Sequence, residues 1–308
     1  MHHYNAYSAY LKKKFNGPVL KLPVNAGFDC PNRDGTKSLR GCAFCDNRAF
    51  SPVAGATGSP LEQLQTSLRR AGRRYKAFIA YLQPFSNTYG NVERLRAVYE
   101  PLIAVQGVVG LSIGTRPDCL PDPVCRYLGD LSGRTFLSVE LGLQSSHDAT
   151  LALINRGHTF DEFVKTAKKL AAMNIEVVAQ VILGLPGESE GMMFETAARC
   201  AGLPVSGIKI HQLMIVRGTA MEKWYAEGRV KILSIEEYAP LMCGFLERLR
   251  PDQHIHRIMS DISNAGASGR SSLLVAPEWS AHKQSSIKFL HEYMDKNGVV
   301  QGSKYKKV

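Results

Sequence analysis

The sequence predicts an α/β protein: a partial (β/α)6 barrel of the TIM type, with a basic N-terminal segment over residues 1–18, a core over 19–233 and a C-terminal helical extension with a basic tail over 234–308. Three observations predict it. Short apolar, β-branched runs recur along the chain, helical stretches with capping signals fill the gaps between them, and three cysteines follow the first run. Strict β–α alternation means parallel strands joined by right-handed crossovers. Such units form a doubly wound sheet or an incomplete barrel, and in either case ligands bind at the carboxyl ends of the strands.

The elements follow in order. VLKLPV (19–24) is the first strand, ahead of the cysteines. Ser59-Pro60-Leu61-Glu62 joins a capping box to a proline at the first helical position and opens a helix to about Lys76. FIAYLQ (78–83), VVGLSIG (108–114), TFLSVELGL (135–143), IEVVAQVILGL (175–185) and GIKIHQLMIV (207–216) are buried strands, bounded by Gly, Pro or polar turns. Helices are expected from Asn91 to Val105, Asp122 to Leu131 and Ser189 to Cys200. Another follows the capping box Thr159-Phe160-Asp161-Glu162, with Phe160, Phe163, Ala167, Leu170 and Ala171 on one face. Ser234-Ile235-Glu236-Glu237 caps a last long helix whose core stripe is Tyr238, Leu241, Met242, Phe245, Leu246 and Leu249. The tail from Pro277 holds a further helix and a basic, mobile end.

Composition narrows the class. An apolar fraction of 44% and a charged fraction of 21% are those of a globular chain able to bury a sizeable core. No run of eighteen apolar residues occurs and the first residues lack a signal-peptide core, so the expectation is a cytoplasmic protein without membrane spans. The net charge of +11 is uneven: residues 1–76 carry 13 Lys/Arg against 4 Asp/Glu, and residues 281–308 carry 6 against 2. A basic front and a basic tail suggest a polyanionic partner, most simply RNA.

Cys30, Cys42 and Cys45 are the most informative residues, within CPNRDG and GCAFC. Structural zinc takes four ligands, and no histidine lies between His3 and His147 to complete the set. A thioredoxin-like pair opens a helix without a third cysteine. Three thiolates hold a 4Fe–4S cubane by three irons and leave the fourth open. Cys125, Cys200 and Cys243 are scattered and read as structural.

The residues after each strand are candidates by position. Arg116, Asp118 and Cys119 follow the third strand in GTRPDC. Arg116 can bind a substrate phosphate or carboxylate; Asp118 either joins it or caps the next helix. Cys119 is either a hydrogen-atom donor or a packed thiol. His211, inside the sixth strand, is either an acid/base contact in the cavity or a satisfied core histidine.

A three-cysteine loop behind the first strand, closing in Cys-x-aromatic-Cys, resembles the radical S-adenosylmethionine (SAM) superfamily. The usual spacing there is three residues then two; here it is eleven then two. With CPNRDG…GCAFC, the strings YLQPFSNTY, GTRPDCLPD, ELGLQSSHDATLALINRGH, ILGLPGE, KIHQLMIVRGT and APEW resemble the YhcC/YtqA-like subgroup, from about residue 4 to 302. That subgroup is related to Elp3 and the coproporphyrinogen-dehydrogenase branch.

The resemblance implies a 4Fe–4S cluster on Cys30, Cys42 and Cys45, SAM chelated to the open iron, and reductive cleavage to a 5′-deoxyadenosyl radical. It places Phe44 beside adenine, Gln83 to Ser86 at the methionine amino group, and Glu140 and Gln144 at the end of the fourth strand near ribose or methionine. It sets Arg156 on the methionine carboxylate and Gln180 in place of an acidic ribose ligand. Where relatives carry a second histidine this chain has Met214. For the subgroup it implies modification of the 5-carboxymethylaminomethyl side chain of a tRNA wobble uridine, with tRNA held by the basic front and tail. Flavodoxin or ferredoxin is the expected electron donor, and the oligomeric state is left open. The alternatives are a small-molecule oxidase or decarboxylase of the coproporphyrinogen dehydrogenase type, and a non-catalytic iron–sulfur RNA-binding protein.

Overall fold

The computed structural model describes residues 3–71, 75–262 and 270–307. Its main sheet takes the strands β1 (Val19–Val24), β2 (Ala77–Leu82), β3 (Val108–Thr115), β4 (Phe136–Gln144), β5 (Glu176–Leu183) and β6 (Gly207–Gln212) in chain order, all parallel. The expected alternation is therefore realised as a half-barrel. One outer layer covers it: Tyr99, Leu128, Phe163, Ala197 and Tyr238 lie on successive helices and are fully or almost fully buried in a single cluster. Burying each large apolar side chain of this kind stabilises the fold by roughly 1.5–3 kcal/mol.

The sixth run is shorter than its sequence suggests. β6 stops at Gln212, and β7 (Ile215–Val216) turns away to pair antiparallel with β9 (Leu274–Ala276). Gln212 fixes the exit: its Nε2 donates to the Ser260 carbonyl at 2.7 Å, and its Oε1 accepts from Ser260 N at 2.9 Å. A seventh parallel strand, β8 (His254–Arg257), then joins β6. The polar, histidine-rich HIHR run carries little of the apolar signal by which the other strands announce themselves.

Helix starts follow the sequence closely. The Thr159/Glu162 and Ser234/Glu237 capping boxes are both formed, each cap stabilising its helix by about 1 kcal/mol. Ser59 and Glu62 exchange the same pair of bonds, at 3.3 and 2.7 Å. That helix runs Pro60–Ala71; its expected continuation toward Lys76 crosses 72–74, outside the described residues. Asp118 does not cap the helix Asp122–Ser132, whose N-cap is Pro121 with no side-chain bond, because Arg116 and Lys37 hold its carboxylate.

The amino ends of the strands are closed by α1 (Tyr7–Lys14). Tyr7 and Leu11 pack with Ile79, Val109 and Phe136, all near strand starts, and Tyr10 bonds Glu176, the first residue of β5. The expected mobile tail is instead docked beside this helix. Gln301 is buried, donates to the Arg250 carbonyl at 2.6 Å and accepts from Asn5 N at 2.8 Å, while Lys304 pairs with Glu247 at 2.6 Å. No helix among the described residues is long and apolar enough to cross a membrane.

Candidate active site

A cavity of about 570 Å³ occupies the inside of the half-barrel and opens at the carboxyl ends of the strands. Cys30, Cys42 and Cys45 all line it, on the loop that follows β1. That loop folds over the barrel through named contacts. Gly41 N donates to Asn32 O at 2.7 Å, Ala43 N to Ile154 O at 2.9 Å, and Asn155 Nδ2 to Gly41 O at 2.7 Å. Arg33 caps the Cys45 carbonyl.

Cys42 is the most enclosed of the three. Asn32 Nδ2 and Arg156 Nη1 each stand 3.4 Å from its sulfur. Arg156 is anchored in turn by Gly142 O, which accepts from Nε at 3.1 Å and Nη2 at 2.6 Å. Glycine leaves room for this grip, since a Cβ on residue 142 would lie 2.4 Å from Arg156 Nη2 and would displace it. Burial acts to push the Cys42 thiol up, but the guanidiniums of Arg156 and Arg116 outweigh it and hold the group below its ordinary value. Cys45, half-buried and beside Cys42, is pushed up to about 12, by desolvation first and by the neighbouring thiolate second.

These residues fit an iron–sulfur cluster. Among the described residues no three His, Cys, Asp or Glu side chains are placed to hold a single metal ion. A cubane does not ask for that, because each thiolate binds its own iron. The N–H groups aimed at Cys42 match the bonding that tunes cluster sulfurs, and Arg116, which lines the same wall, keeps its buried Nη1 without a partner among the described residues.

The other candidates divide into two sets. Phe44, Gln83, Ser86, Arg116, Gln144, Arg156, Gln180 and His211 all line the cavity. Phe85 and Gln144 are held in the left-handed region at φ 67° and 77°, a conformation that costs non-glycine residues of order 1–3 kcal/mol and gathers at functional sites. Asp118 and Cys119 lie outside the lining. Asp118 accepts from Arg116 Nε and Nη2, both at 2.9 Å, and pairs with Lys37 at 2.6 Å. Burial pushes the Cys119 thiol up to about 12, with Ser86 as its side-chain neighbour.

Glu140 lies beneath the cavity floor, fully buried. Its carboxylate accepts from Lys21 at 2.5 Å, Tyr81 OH at 2.7 Å, Ser112 Oγ at 3.1 Å and Gln180 Nε2 at 3.1 Å, and also from Lys209. Burial opposes its charge, but Lys209 and Lys21 keep it ionised, well below the usual carboxylate range. His211 faces the cavity from β6; burial, with Arg257 and Lys209 nearby, holds it neutral, and its Nε2 has no partner among the described residues.

Sequence reasoning missed Asn32, Lys21, Tyr81, Lys209 and His256. The signal was present: polar residues at alternate positions in otherwise apolar runs, such as Lys21 in VLKLPV and Lys209 in GIKIHQ, mark the inner face of a strand.

The chain matches the Radical SAM superfamily model over residues 32–200 and the Radical SAM C-terminal domain over 205–296. It is 40% identical over 308 residues to the uncharacterized protein YtqA of Bacillus subtilis, covering 99% of this chain and 94% of that one. A tRNA uridine(34) acetyltransferase of Dehalococcoides mccartyi is 29% identical over 180 residues, 56% of this chain and 37% of the relative. Among solved structures, Elp3 of Methanocaldococcus infernus superposes with a TM-score of 0.65 at 16% identity, over 92% of this chain and 64% of that one. The last likeness shows a shared fold, and the chain spans about two-fifths of the acetyltransferase's length and under two-thirds of the Elp3 chain's.

Proposed function

The chain belongs to the radical SAM superfamily, and from that premise we propose that it reductively cleaves SAM at a cluster held by Cys30, Cys42 and Cys45 and modifies the wobble-uridine side chain of tRNA. The observation that carries the first part is the convergence of the three cysteines with polar strand-end residues on one cavity. When bound, the reduced cluster supplies the electron that breaks the SAM carbon–sulfur bond and so yields a carbon radical able to take a hydrogen atom.

This chain's residues bind, orient and exclude water. Arg156 and Asn32 donate toward Cys42 and fix the cluster loop against β4. The backbone around Gln83 to Ser86, with Gln144 and Gln180, offers hydrogen bonds to amino, carboxylate and hydroxyl groups, while Phe44 gives an apolar face for a base. Apolar packing behind Cys42, Phe44, Ile182 and Leu213 keeps that wall dry.

The tRNA reading rests on kinship with the uridine(34) acetyltransferase and on the basic charge. Lys12, Lys13 and Lys14 lie on α1 beside the docked tail, at the strands' amino ends. The mouth has its own exposed cations, Arg40 and Arg48 on the cluster loop and Lys283 at its rim. We therefore assign the anticodon contacts to the mouth and only peripheral contacts to the front and tail. A flavodoxin or ferredoxin is the proposed electron donor.

Anaerobic reconstitution followed by detection of 5′-deoxyadenosine tests the chemistry. Nucleoside analysis of tRNA from a deletion strain tests the substrate: accumulation of the unprocessed wobble uridine supports it, and an unchanged profile rejects it in favour of a small-molecule substrate.

A further inference from the structure

The floor of the cavity carries more positive charge than the protein itself neutralises. Two ammonium groups, Lys21 and Lys209, share the single carboxylate of Glu140. Lys21 Nζ also donates to Ser112 Oγ at 2.9 Å and Lys209 Nζ to Tyr81 OH at 3.0 Å. Each ammonium has three N–H donors, so among the described residues each keeps one N–H without a protein acceptor. Both side chains line the cavity, and Lys209 is only 8% exposed. Arg257, at the end of β8, adds a further cation to the wall.

An unbalanced buried cation is costly and is stabilised by an incoming anion. Consistently, burial and the neighbouring Lys21 hold Lys209 down to about 7 against the attraction of Glu140. Arg116, another cation of the lining, spends two nitrogens on Asp118 and keeps only its buried Nη1 for a further acceptor. His211 Nε2, buried on the same wall without a partner among the described residues, offers one more polar contact.

We propose that Lys209 and Lys21 form a receptor for a carboxylate carried by the substrate, presented down the barrel axis from the mouth. The remaining N–H of each lysine can meet one oxygen of a carboxylate, two donors for two acceptors. The inference rests on the reading above in taking this cavity as the substrate site and the wobble-uridine side chain as the carrier of the carboxylate.

The test needs no radical chemistry. Anaerobically reconstituted protein labelled with 13C at lysine Cε is titrated with 5-carboxymethylaminomethyluridine or with 5-methylaminomethyluridine, which lacks the carboxylate. Lys21→Met and Lys209→Met assign the two signals. The expected result is a saturable shift of both, with the carboxylate nucleoside binding about tenfold or more tightly than its analogue, as a charge-assisted contact provides. In Lys209→Met, or in Lys21→Met if the first fails to fold, that preference falls to about twofold or less. Equal affinity for the two nucleosides in the unmodified protein, or no shift with either, overturns the proposal. Failure of 5′-deoxyadenosine formation or of the tRNA profile speaks against the earlier reading and leaves this binding result standing.

Discussion

Arg156 Nη1 stands 3.4 Å from the sulfur of Cys42 while its Nε and Nη2 grip the Gly142 carbonyl. One guanidinium thus ties the cluster loop to the fourth strand and brings a positive charge to a thiolate. Arg156→Met removes the charge and both grips. The expected outcome is a cluster that still assembles, with a more negative midpoint potential in an EPR-monitored redox titration. Arg156→Lys restores the charge without the fork geometry and should fall between the two. An unchanged potential in Arg156→Met would sever this link.

The ligand set makes a sharper prediction. Cys30→Ala, Cys42→Ala and Cys45→Ala should each abolish the visible absorption of the reconstituted cluster and 5′-deoxyadenosine formation. Cys200 is fully buried on an outer helix away from the cavity. Its alanine variant should keep both signals and lose about 1 kcal/mol of stability in urea. Turnover surviving in a Cys30 variant would show the ligand set to be misassigned.

Gly142 tests the packing behind Cys42. The added methyl in Gly142→Ala would sit 2.4 Å from Arg156 Nη2 and 2.9 Å from Gln144 Nε2. Overpacking of this kind costs roughly 1–3 kcal/mol, and here it displaces the guanidinium. A cluster that still assembles, with its midpoint potential shifted in the same direction as in Arg156→Met, is expected. Gly55→Ala, where a Cβ meets nothing within 4 Å, is the control and should leave the potential unchanged.

Lys209 gives stability a pH dependence of definite sign. Its pKa is lowered to about 7 in the folded protein, against about 10.4 in an unfolded chain. Between those values the unfolded state holds more protons, so this group makes stability rise with pH; below about 7 both states are charged and the burial penalty is fully felt. The native protein should therefore gain on Lys209→Met by up to about 1.4 kcal/mol per pH unit above pH 7. Urea unfolding of the cluster-free protein across that range measures it, and a flat difference would mean Lys209 stays charged throughout.

Much of this was legible in the residues. Periodicity and caps placed the first five strands within about two residues, because each is an apolar run cut by Gly, Pro or a capping box. The three cysteines found the mouth of the cavity. The floor was harder, since Lys21, Tyr81 and Lys209 come from three strands and meet only when the sheet curls. Glu140 ends the same way: nothing in the ELGLQ string tells that two lysines from other strands pair with it. Arg116 lines the cavity while two of its nitrogens hold Asp118, a pairing that two residues at a strand end do not announce. β8 escaped because its HIHR sequence alternates polar residues around a single buried Ile255.

The segment before α1 has a bearing on how the molecule avoids sticking to its neighbours. β8 ends the seven-stranded sheet, and a sheet edge offers unpaired N–H and C=O groups to any other strand. Ile255 N instead donates to Asn5 O at 2.8 Å, and Ala6 bridges Ile255 in parallel. The chain's own leading residues thus occupy the place where a foreign strand would add. Loosening them, for example by replacing Asn5 or Gln301, would free that edge for self-association before it disturbed the cysteines at the far end of the barrel.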